Sequence, residues 1–360
     1  MGVFASIAGD GHEEIVHGFD PVSGLKTIIA IHSTTLGPAL GGTRFFPYQS
    51  EDQALTDVVR LSKAMTLKAA AAGLDLGGGK AVIIGDPRTS KSERLWRAYG
   101  RVIDSLQGRY ITAEDVGTDH HDMELIRRET RWVTGVPKAE GGSGDPSPAT
   151  ARGLLAALRA VSQHLWRTRD LTGRKVAVQG VGKVGSHFVE DLIAAGCEVV
   201  VADVTEANVE RLVAQFGVKT AEPDQILFVE CDVVAPCALG AALNSETIPR
   251  LQCQVILGSA NNQLAEEGDS KLLADQGILY APDFVVNAGG LINVAEELRG
   301  YSSKRAARRI DKIYDGTLRL LSEALERGIT PQQAAVELAQ ERIQQIGNLR
   351  LFRRNGDDRN

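Results

Sequence analysis

The stretch KVAVQGVGKVGSHFVEDLIAAGCEVVVADV, Lys175 to Val204, decides the fold. An apolar run, KVAVQ, leads straight into Gly180, Gly182 and Gly185 in G-x-G-x-x-G spacing, and an amphipathic helical pattern follows. In a strand-turn-helix unit each glycine has its own task. Gly180 allows the tight turn. Gly182 lets the backbone, with Lys183 and Val184 after it, come up to a pyrophosphate lying on the helix N-terminus. Gly185 lets helix pack on strand. Asp203 stands 18 residues past Gly185, at the end of the next apolar run. There a carboxylate accepts hydrogen bonds from both hydroxyls of a dinucleotide ribose and repels a 2′-phosphate, which predicts NAD rather than NADP as cofactor.

The same rhythm extends outward. Helices are predicted over Ala151 to Leu165, Lys183 to Ala195 and Glu206 to Phe216, with strands over Lys175 to Gln179 and Glu198 to Asp203 and near Asp232, Gln254 and Leu279. This reads as a doubly wound parallel sheet, the Rossmann arrangement. Upstream, GVPKAEGGSGDPSPAT, Gly135 to Thr150, is dense in Gly, Pro and Ser and marks a boundary. Before it a second α/β unit alternates strands (LKTIIAIHS, KAVIIGD, RYITAEDV) with helices over Asp52 to Ala72 and Lys91 to Ser105. At 360 residues the chain exceeds the size of one core, so two domains with a cleft between them are expected. The expected division is an N-terminal substrate domain over 1–145 and a Rossmann domain over 146–329, with a helical tail, 330–360, packing back on the first. The charged ending LRLFRRNGDDRN is expected to be disordered.

A formal charge of -6, with acids and bases interspersed, gives no footing for nucleic acid or an anionic membrane. Apolar runs such as TIIAI and EVVVAD are strand-sized, and the N-terminus lacks a signal-peptide pattern, so a soluble cytoplasmic protein is expected. Cys197, Cys231, Cys237 and Cys253 show no C-x-x-C spacing and read as reduced core residues. His120 and His121 are adjacent, so on a helix they point apart, and no metal site is expected.

In the first unit the stretch AAGLDLGGGKAVIIGDP, Ala71 to Pro87, places three glycines before Lys80. A phosphate-binding P-loop would need glycine at Leu74 and a hydroxyl at Ala81, so that reading fails. Gly77, Gly78 and Gly79 are expected to allow positive φ and a close approach of ligand to the strand entry. Lys68 follows Val58, Leu61 and Met65 along the edge of an apolar helix face, and TAEDVGTD sets Glu114 and Asp115 at a strand end. Two lysines and a carboxylate that converge in a partly dry cleft suit acid-base work on an anionic substrate.

The segments GPALGGTR, AMTLKAAAAGLDLGGGKAVIIGDP, TAEDVGT, GGSGDPSPAT, GVGKVG, APCALGAALN, GSANNQLAE and ILYAPDFVVNAGGLINV together closely resemble the glutamate, leucine, phenylalanine and valine dehydrogenases. They run in family order from Gly37 to Val294. The resemblance implies reversible, NAD-dependent oxidative deamination of an L-amino acid to a 2-oxo acid and ammonia. It implies that Lys68 binds the substrate carboxylate, that Lys80 is the base that activates water, and that Asp115 exchanges a proton with the substrate amine. Thr150 and the Ala260-Asn261-Asn262 turn are implied to border the nicotinamide and the substrate carboxylate. Ser259 stands where relatives usually carry alanine and is implied to add a hydroxyl near the cofactor, and Asn287 is implied to be structural or cofactor-adjacent. The family is oligomeric through its first domain, which implies a homo-oligomer.

By the same resemblance, Leu40, Ala113, Leu291 and Val294 line the side-chain pocket, with Gly41 beside them. Leu40 stands where glutamate dehydrogenases carry a lysine, which disfavours an acidic substrate. Leu291 replaces a valine common in leucine dehydrogenases. The extra methylene shortens the pocket and favours valine, then leucine, over phenylalanine by roughly 1 to 3 kcal/mol per methylene. The segment IAIHSTTLGPALGGTRFFPY resembles valine dehydrogenases most. The competing readings are the same reaction on an aromatic amino acid, a hydroxy-acid dehydrogenase and an inactive NAD-binding regulator. The last would have lost one of the lysines, and both are present.

Overall fold

The computed structural model describes residues 9, 11–238 and 240–349. The ending expected to be disordered lies, from residue 350 on, outside the described residues. The chain divides into two compact units, 1–134 with 336–360, and 135–335.

The first unit is built on five strands: β1 (Glu14–Asp20), β2 (Leu25–Ser33), β3 (Ala39–Phe46), β4 (Gly77–Ile84) and β5 (Tyr110–Glu114), in the order β1-β2-β4-β3-β5. β2 pairs antiparallel with β1 and β4, while β3 pairs parallel with β4 and β5. Helix α1 (Glu51–Ala71) starts where the Ser50 hydroxyl accepts the Gln53 N–H at 3.1 Å, and Glu51 and Asp52 in its first turn suit the helix dipole. Its Ala54, Leu55, Val58 and Val59 pack on Ile28, Ala30 and Val82 of the sheet. Each of the larger side chains contributes roughly 1.5 to 3 kcal/mol by leaving water. The opposite face meets α2 (Glu93–Ser105), whose Trp96 packs edge-on against Phe45 at 5.7 Å between ring centres. Helix α3 (His120–Arg127) opens on an Asp119–Asp122 capping box.

In the second unit β6 (Lys175–Gln179), β7 (Glu198–Ala202), β8 (Lys219–Thr220), β9 (Val233–Pro236), β10 (Val255–Ile256) and β11 (Leu279–Tyr280) form a sheet in the order β11-β10-β9-β6-β7-β8. Every pairing in it is parallel. Counted from β6, this is the 3-2-1-4-5-6 order of the Rossmann fold. The reading of a two-unit α/β protein with a doubly wound sheet is thus borne out. Helices α4 (Ser147–Trp166), α5 (Lys183–Ala194) and α6 (Glu206–Phe216) accompany the first strands. After them come α7 (Asp269–Asp275), α8 (Asp283–Val286), α9 (Gly289–Ala295), α10 (Ser303–Asp311) and α11 (Ile313–Arg327). The last helix, α12 (Pro331–Gly347), sends Arg342 to the Leu74 carbonyl at 2.8 Å and to Asp75 at 3.0 Å. Among the described residues no helix is long and apolar enough to cross a membrane.

Two differences from the expected elements stand out. β1 and β3 are strands beyond the expected ones, and in β3 Gly41 and Gly42 weaken the strand pattern. The triple glycine does not precede β4 but forms its first three residues, and none of the three has positive φ.

Candidate functional site

The first unit gathers its candidates on one face of the sheet. Register pairs Leu40 with Gly78, Arg44 with Val82 and Gly42 with Ala113, so Leu40, Gly42, Arg44, Lys80, Val82 and Ala113 share a face by the period of two. Val82 packs under α1, which identifies this face as the one α1 covers. Lys68, half-buried, sits in the last turn of that helix. Gly41 alternates to the opposite face, so only its backbone is available to a ligand on the α1 side, and its carbonyl accepts the Tyr110 hydroxyl at 2.6 Å.

At the end of β5 the Asp115 carboxylate meets Lys80. The Lys80 Nζ lies 2.8 Å from Asp115 Oδ2, and the lysine is only 6 % exposed. Arg44 Nε reaches the same oxygen at 3.2 Å, and its Nη1 reaches Asp57 Oδ2 on α1 at 2.8 Å. Burial alone would raise the Asp115 pKa, but the Lys80 ammonium and then the Arg44 guanidinium overcome it and hold the carboxyl below its ordinary value. Asp115 is therefore a carboxylate at neutral pH, with both cations on Oδ2. Arg44 and Asp57 escaped the sequence reading. The period-two spacing that sets Arg44 in line with Leu40 and Gly42 is visible only once β3 is known to be a strand.

The glycines answer to packing rather than to ligand. A Cβ on Gly77 would stand 1.8 Å from the Ser33 carbonyl oxygen, on Gly78 2.1 Å from the Thr66 nitrogen, and on Gly79 2.7 Å from the Tyr110 ring. The expectation that they admit substrate and nicotinamide is therefore replaced. Gly78 lets α1 lie close on β4, which sets the helix end carrying Lys68 beside the strand carrying Lys80. Gly42 leaves room for Asp115, because a Cβ there would stand 2.4 Å from the Glu114 carbonyl oxygen and 2.9 Å from the Asp115 Cβ.

In the second unit the glycine fingerprint divides its labour. Gly180 has φ +88°, space around Gly182 is open, and a Cβ on Gly185 would stand 2.0 Å from the Gly180 carbonyl oxygen. Helix α5 starts after Gly182 with no side-chain cap, so its first N–H groups are available to an anion such as a pyrophosphate. The open turn, the uncapped helix and the close helix packing together fit a dinucleotide. Lys183 is exposed and Val184 half-buried at this turn. A cavity of about 430 Å³ opens beside it, lined by Asp145, Lys183, Ser186, His187 and Arg211 among others. Arg211 donates to the Ser186 hydroxyl at 2.8 Å, and sequence reasoning had not singled out either residue. Asp203 Oδ2 accepts the Val181 N–H at 2.7 Å, and Oδ1 accepts the Thr205 N–H at 2.8 Å. The carboxylate thus holds the glycine turn itself, while each oxygen keeps a lone pair for a further donor.

The Ala260-Asn261-Asn262 turn follows β10. Asn262 adopts left-handed φ +52°, and the buried Gln263 amide donates to the Gly258 and Ala260 carbonyls at 2.8 and 3.0 Å. Asn287 Nδ2 donates to the Ser259 carbonyl and to Asn261 Oδ1, both at 3.1 Å, so Asn287 orients the turn, a role the sequence did not reveal. Burial raises the Cys237 pKa, and hydrogen bonding from Ser259, whose backbone N–H donates to the sulfur at 3.5 Å, draws it partly back. Leu291 and Val294, both nearly buried, lie on α9. A Cβ on Gly290 would stand 2.6 Å from the Thr150 hydroxyl, so that glycine lets α9 pack on α4.

Residues 14–132 match the dimerisation domain of the Glu/Leu/Phe/Val dehydrogenases, and residues 201–350 match the Glutamate/Leucine/Phenylalanine/Valine dehydrogenase family. Residues 148–252 also match the NAD binding domain of the D-isomer specific 2-hydroxyacid dehydrogenases. A leucine dehydrogenase of Bacillus cereus is 50% identical over 357 residues, covering 99% of this chain and 98% of that one. A valine dehydrogenase of Streptomyces virginiae is 52% identical over 336 residues, covering 92% and 94%. The crystal structure of an L-tryptophan dehydrogenase from Nostoc punctiforme superposes with a TM-score of 0.82 at 43% identity, covering 96% of this chain and 99% of that one. With a Rossmann sheet, a nicotinamide-cofactor turn and this likeness over nearly its whole length, the chain belongs to the glutamate/leucine/phenylalanine/valine dehydrogenase family.

Proposed function

We propose that the protein catalyses the reversible, NAD-dependent oxidative deamination of a branched-chain aliphatic L-amino acid, valine first and leucine second. The products are the 2-oxo acid, ammonia and NADH. The observation that carries this reading is the Lys80–Asp115 pair at 2.8 Å, on the sheet face that also holds apolar Leu40 and Ala113. The pair offers one cation and one carboxylate to a substrate whose reacting carbon bears an amine, and the face is apolar where a side chain would rest.

NAD, when bound, would supply the acceptor for a hydride from the substrate Cα. Gly180, Gly182, Lys183, Val184 and Gly185 would hold its pyrophosphate and Asp203 its ribose, while Thr150, Ala260 and Asn261 border the nicotinamide. Lys68 pairs with the substrate carboxylate, with Asn262 as a second polar partner. The Asp115 carboxylate takes one proton from the substrate ammonium, and the freed lone pair drives hydride from Cα to leave an iminium. Lys80, after releasing its own proton to solvent, takes one from water as the oxygen attacks that carbon. Asp115 returns its proton to the nitrogen of the carbinolamine, the C–N bond breaks, ammonia leaves, and the hydroxyl proton is released to solvent as the C=O forms.

Leu40, Gly41 and Ala113 of the first unit are the proposed contacts of the substrate side chain, and the resemblance adds Leu291 and Val294 of the second. Asp203 opposes a 2′-phosphate, which favours NAD over NADP. The match of residues 14–132 to a dimerisation domain supports a homo-oligomer, and the absence of a spanning helix among the described residues is compatible with a cytoplasmic enzyme. The likeness to a tryptophan dehydrogenase structure keeps an aromatic substrate as the second reading.

The test is the reverse reaction, NADH oxidation with 2-oxo-isovalerate in the presence and absence of ammonium. Strict dependence on ammonium supports deamination. Oxidation without ammonium would make the protein a hydroxy-acid dehydrogenase.

A further inference from the structure

Of the groups around Asp115, one has no part in the chemistry above. Arg44 lies on β3 with its Nε 3.2 Å from Asp115 Oδ2 and its Nη1 2.8 Å from Asp57 Oδ2. Asp57, on α1, is itself held. The Tyr48 hydroxyl donates to Oδ2 at 2.7 Å and Arg60 Nη2 reaches Oδ1 at 3.3 Å. Arg44 and Asp57 are each more than three-quarters buried in their side chains, so the bridge is shielded from the salt that dissolves exposed pairs. The guanidinium is planar and forked, which lets one side chain hold two carboxylates at fixed separation. An ammonium cannot do this.

We propose that Arg44 is a positioning residue for the deamination chemistry, anchored by Asp57, that fixes the Asp115 carboxylate against Lys80. The inference rests on the amino-acid dehydrogenase reading. Asp115 can take a proton from a substrate ammonium only as a carboxylate, and it can do so repeatedly only if it returns to one geometry after each cycle. Lys80 supplies one positive neighbour, but Lys80 also exchanges protons in each turnover. Arg44 never does, because a guanidinium stays charged throughout the working pH range. Arg44 is thus the constant cation beside a pair whose own charges change.

The charged and titratable groups around Asp115 are Lys80 from β4, Arg44 from β3, Asp57 and Arg60 from α1, and Tyr48 from the β3–α1 connection. Burial, then its bond to Asp57, raises the Tyr48 pKa, so the phenol stays protonated and donating. The sign follows. Activity that needs Asp115 ionised is full above its pKa and falls as pH drops through it. Loss of Arg44 raises that pKa and moves the acid limb of kcat/KM to higher pH.

The experiment measures kcat and kcat/KM for L-valine and L-leucine from about pH 3.5 to pH 9, a range that spans the lowered Asp115 pKa, in wild type, Arg44→Gln and Arg44→Lys, with NADH binding and thermal melting as controls for folding. Removing one cation at this distance moves a carboxylate pKa by about one unit or more. For Arg44→Gln the acid limb is expected to shift upward by that amount, with a loss of about tenfold at the acid end that shrinks at high pH. Arg44→Lys, which keeps charge but not the fork, is expected to restore the limb while kcat stays below wild type at every pH. A uniform loss in both variants with the limb unmoved would show that Arg44 only supports the fold. If Arg44→Gln does not fold, Arg44→Lys decides alone, since a limb displaced by about a unit despite the retained charge overturns the proposal. If wild type itself deaminates no amino acid, the functional reading fails and the inference that rests on it falls with it, an outcome distinct from an active wild type whose limb does not move in Arg44→Gln.

Discussion

Replacing Gly42 by alanine should damage the reaction while leaving the nucleotide site intact, and the structure sets the size of the effect. The added Cβ would stand 2.4 Å from the Glu114 carbonyl oxygen and 2.9 Å from the Asp115 Cβ. Ordinary contact begins near 3.4 Å, so the end of β5 must retreat by about 1 Å. Both obstacles belong to the main chain or to a side chain held by two cations, and neither can swing aside. Asp115 moves with its backbone, and the 2.8 Å contact to Lys80 lengthens or tilts. Overpacking of this kind costs about 1 to 3 kcal/mol of stability, and a displacement of about 1 Å at a reacting group lowers turnover on the order of a hundredfold. The assay is kcat and KM by NADH absorbance with L-valine and L-leucine, NADH binding by fluorescence, and melting. Gly316→Ala on α11 is the control, since nothing lies within 4 Å of its Cβ and its φ is not positive, so kcat should not change. A Gly42→Ala enzyme with kcat within about threefold of wild type would refute the reasoning, because Asp115 would not need the seat that glycine leaves.

Lys80→Ala should abolish turnover while NADH still binds, and substantial activity in that variant would remove Lys80 as base. Lys68→Ala should act mainly on KM for the amino acid by losing a charge-assisted pair, and an unchanged KM would take it out of the site. Asp203→Asn keeps an acceptor for one backbone N–H but removes the charge that opposes a 2′-phosphate. The preference for NAD over NADP should fall by about tenfold or more, the equivalent of roughly 1.4 kcal/mol. An unchanged ratio would mean that Asp203 serves the turn at Val181 and not cofactor choice.

What was legible in the sequence was local. The glycine fingerprint could be read because each glycine answers to a backbone demand within one strand-turn-helix unit, and Gly180, Gly182 and Gly185 each meet theirs. The triple glycine was misjudged because its demand is not local. Gly77, Gly78 and Gly79 face Ser33, Thr66 and Tyr110, which belong to β2, α1 and β5, and no window of sequence contains them together. β3 was missed for a related reason. Its Gly41 and Gly42 weaken any strand pattern, yet both are required because neighbouring backbones lie where their side chains would go. Arg44 and Asp57, 13 residues apart, meet only when β3 and α1 are stacked. Asn287 reaches Asn261 across 26 residues to hold a turn whose own sequence gives no hint of its support.

The most direct test of the central claim is NAD reduction by the purified protein with L-valine, L-leucine, L-phenylalanine, L-tryptophan and L-glutamate compared in parallel. Valine or leucine leading, with glutamate inert, is the result that the proposed apolar contacts of Leu40 and Leu291 and the Lys80–Asp115 pair predict. An aromatic substrate leading would keep the chemistry and overturn the pocket, and no reduction with any of the five would contradict the account.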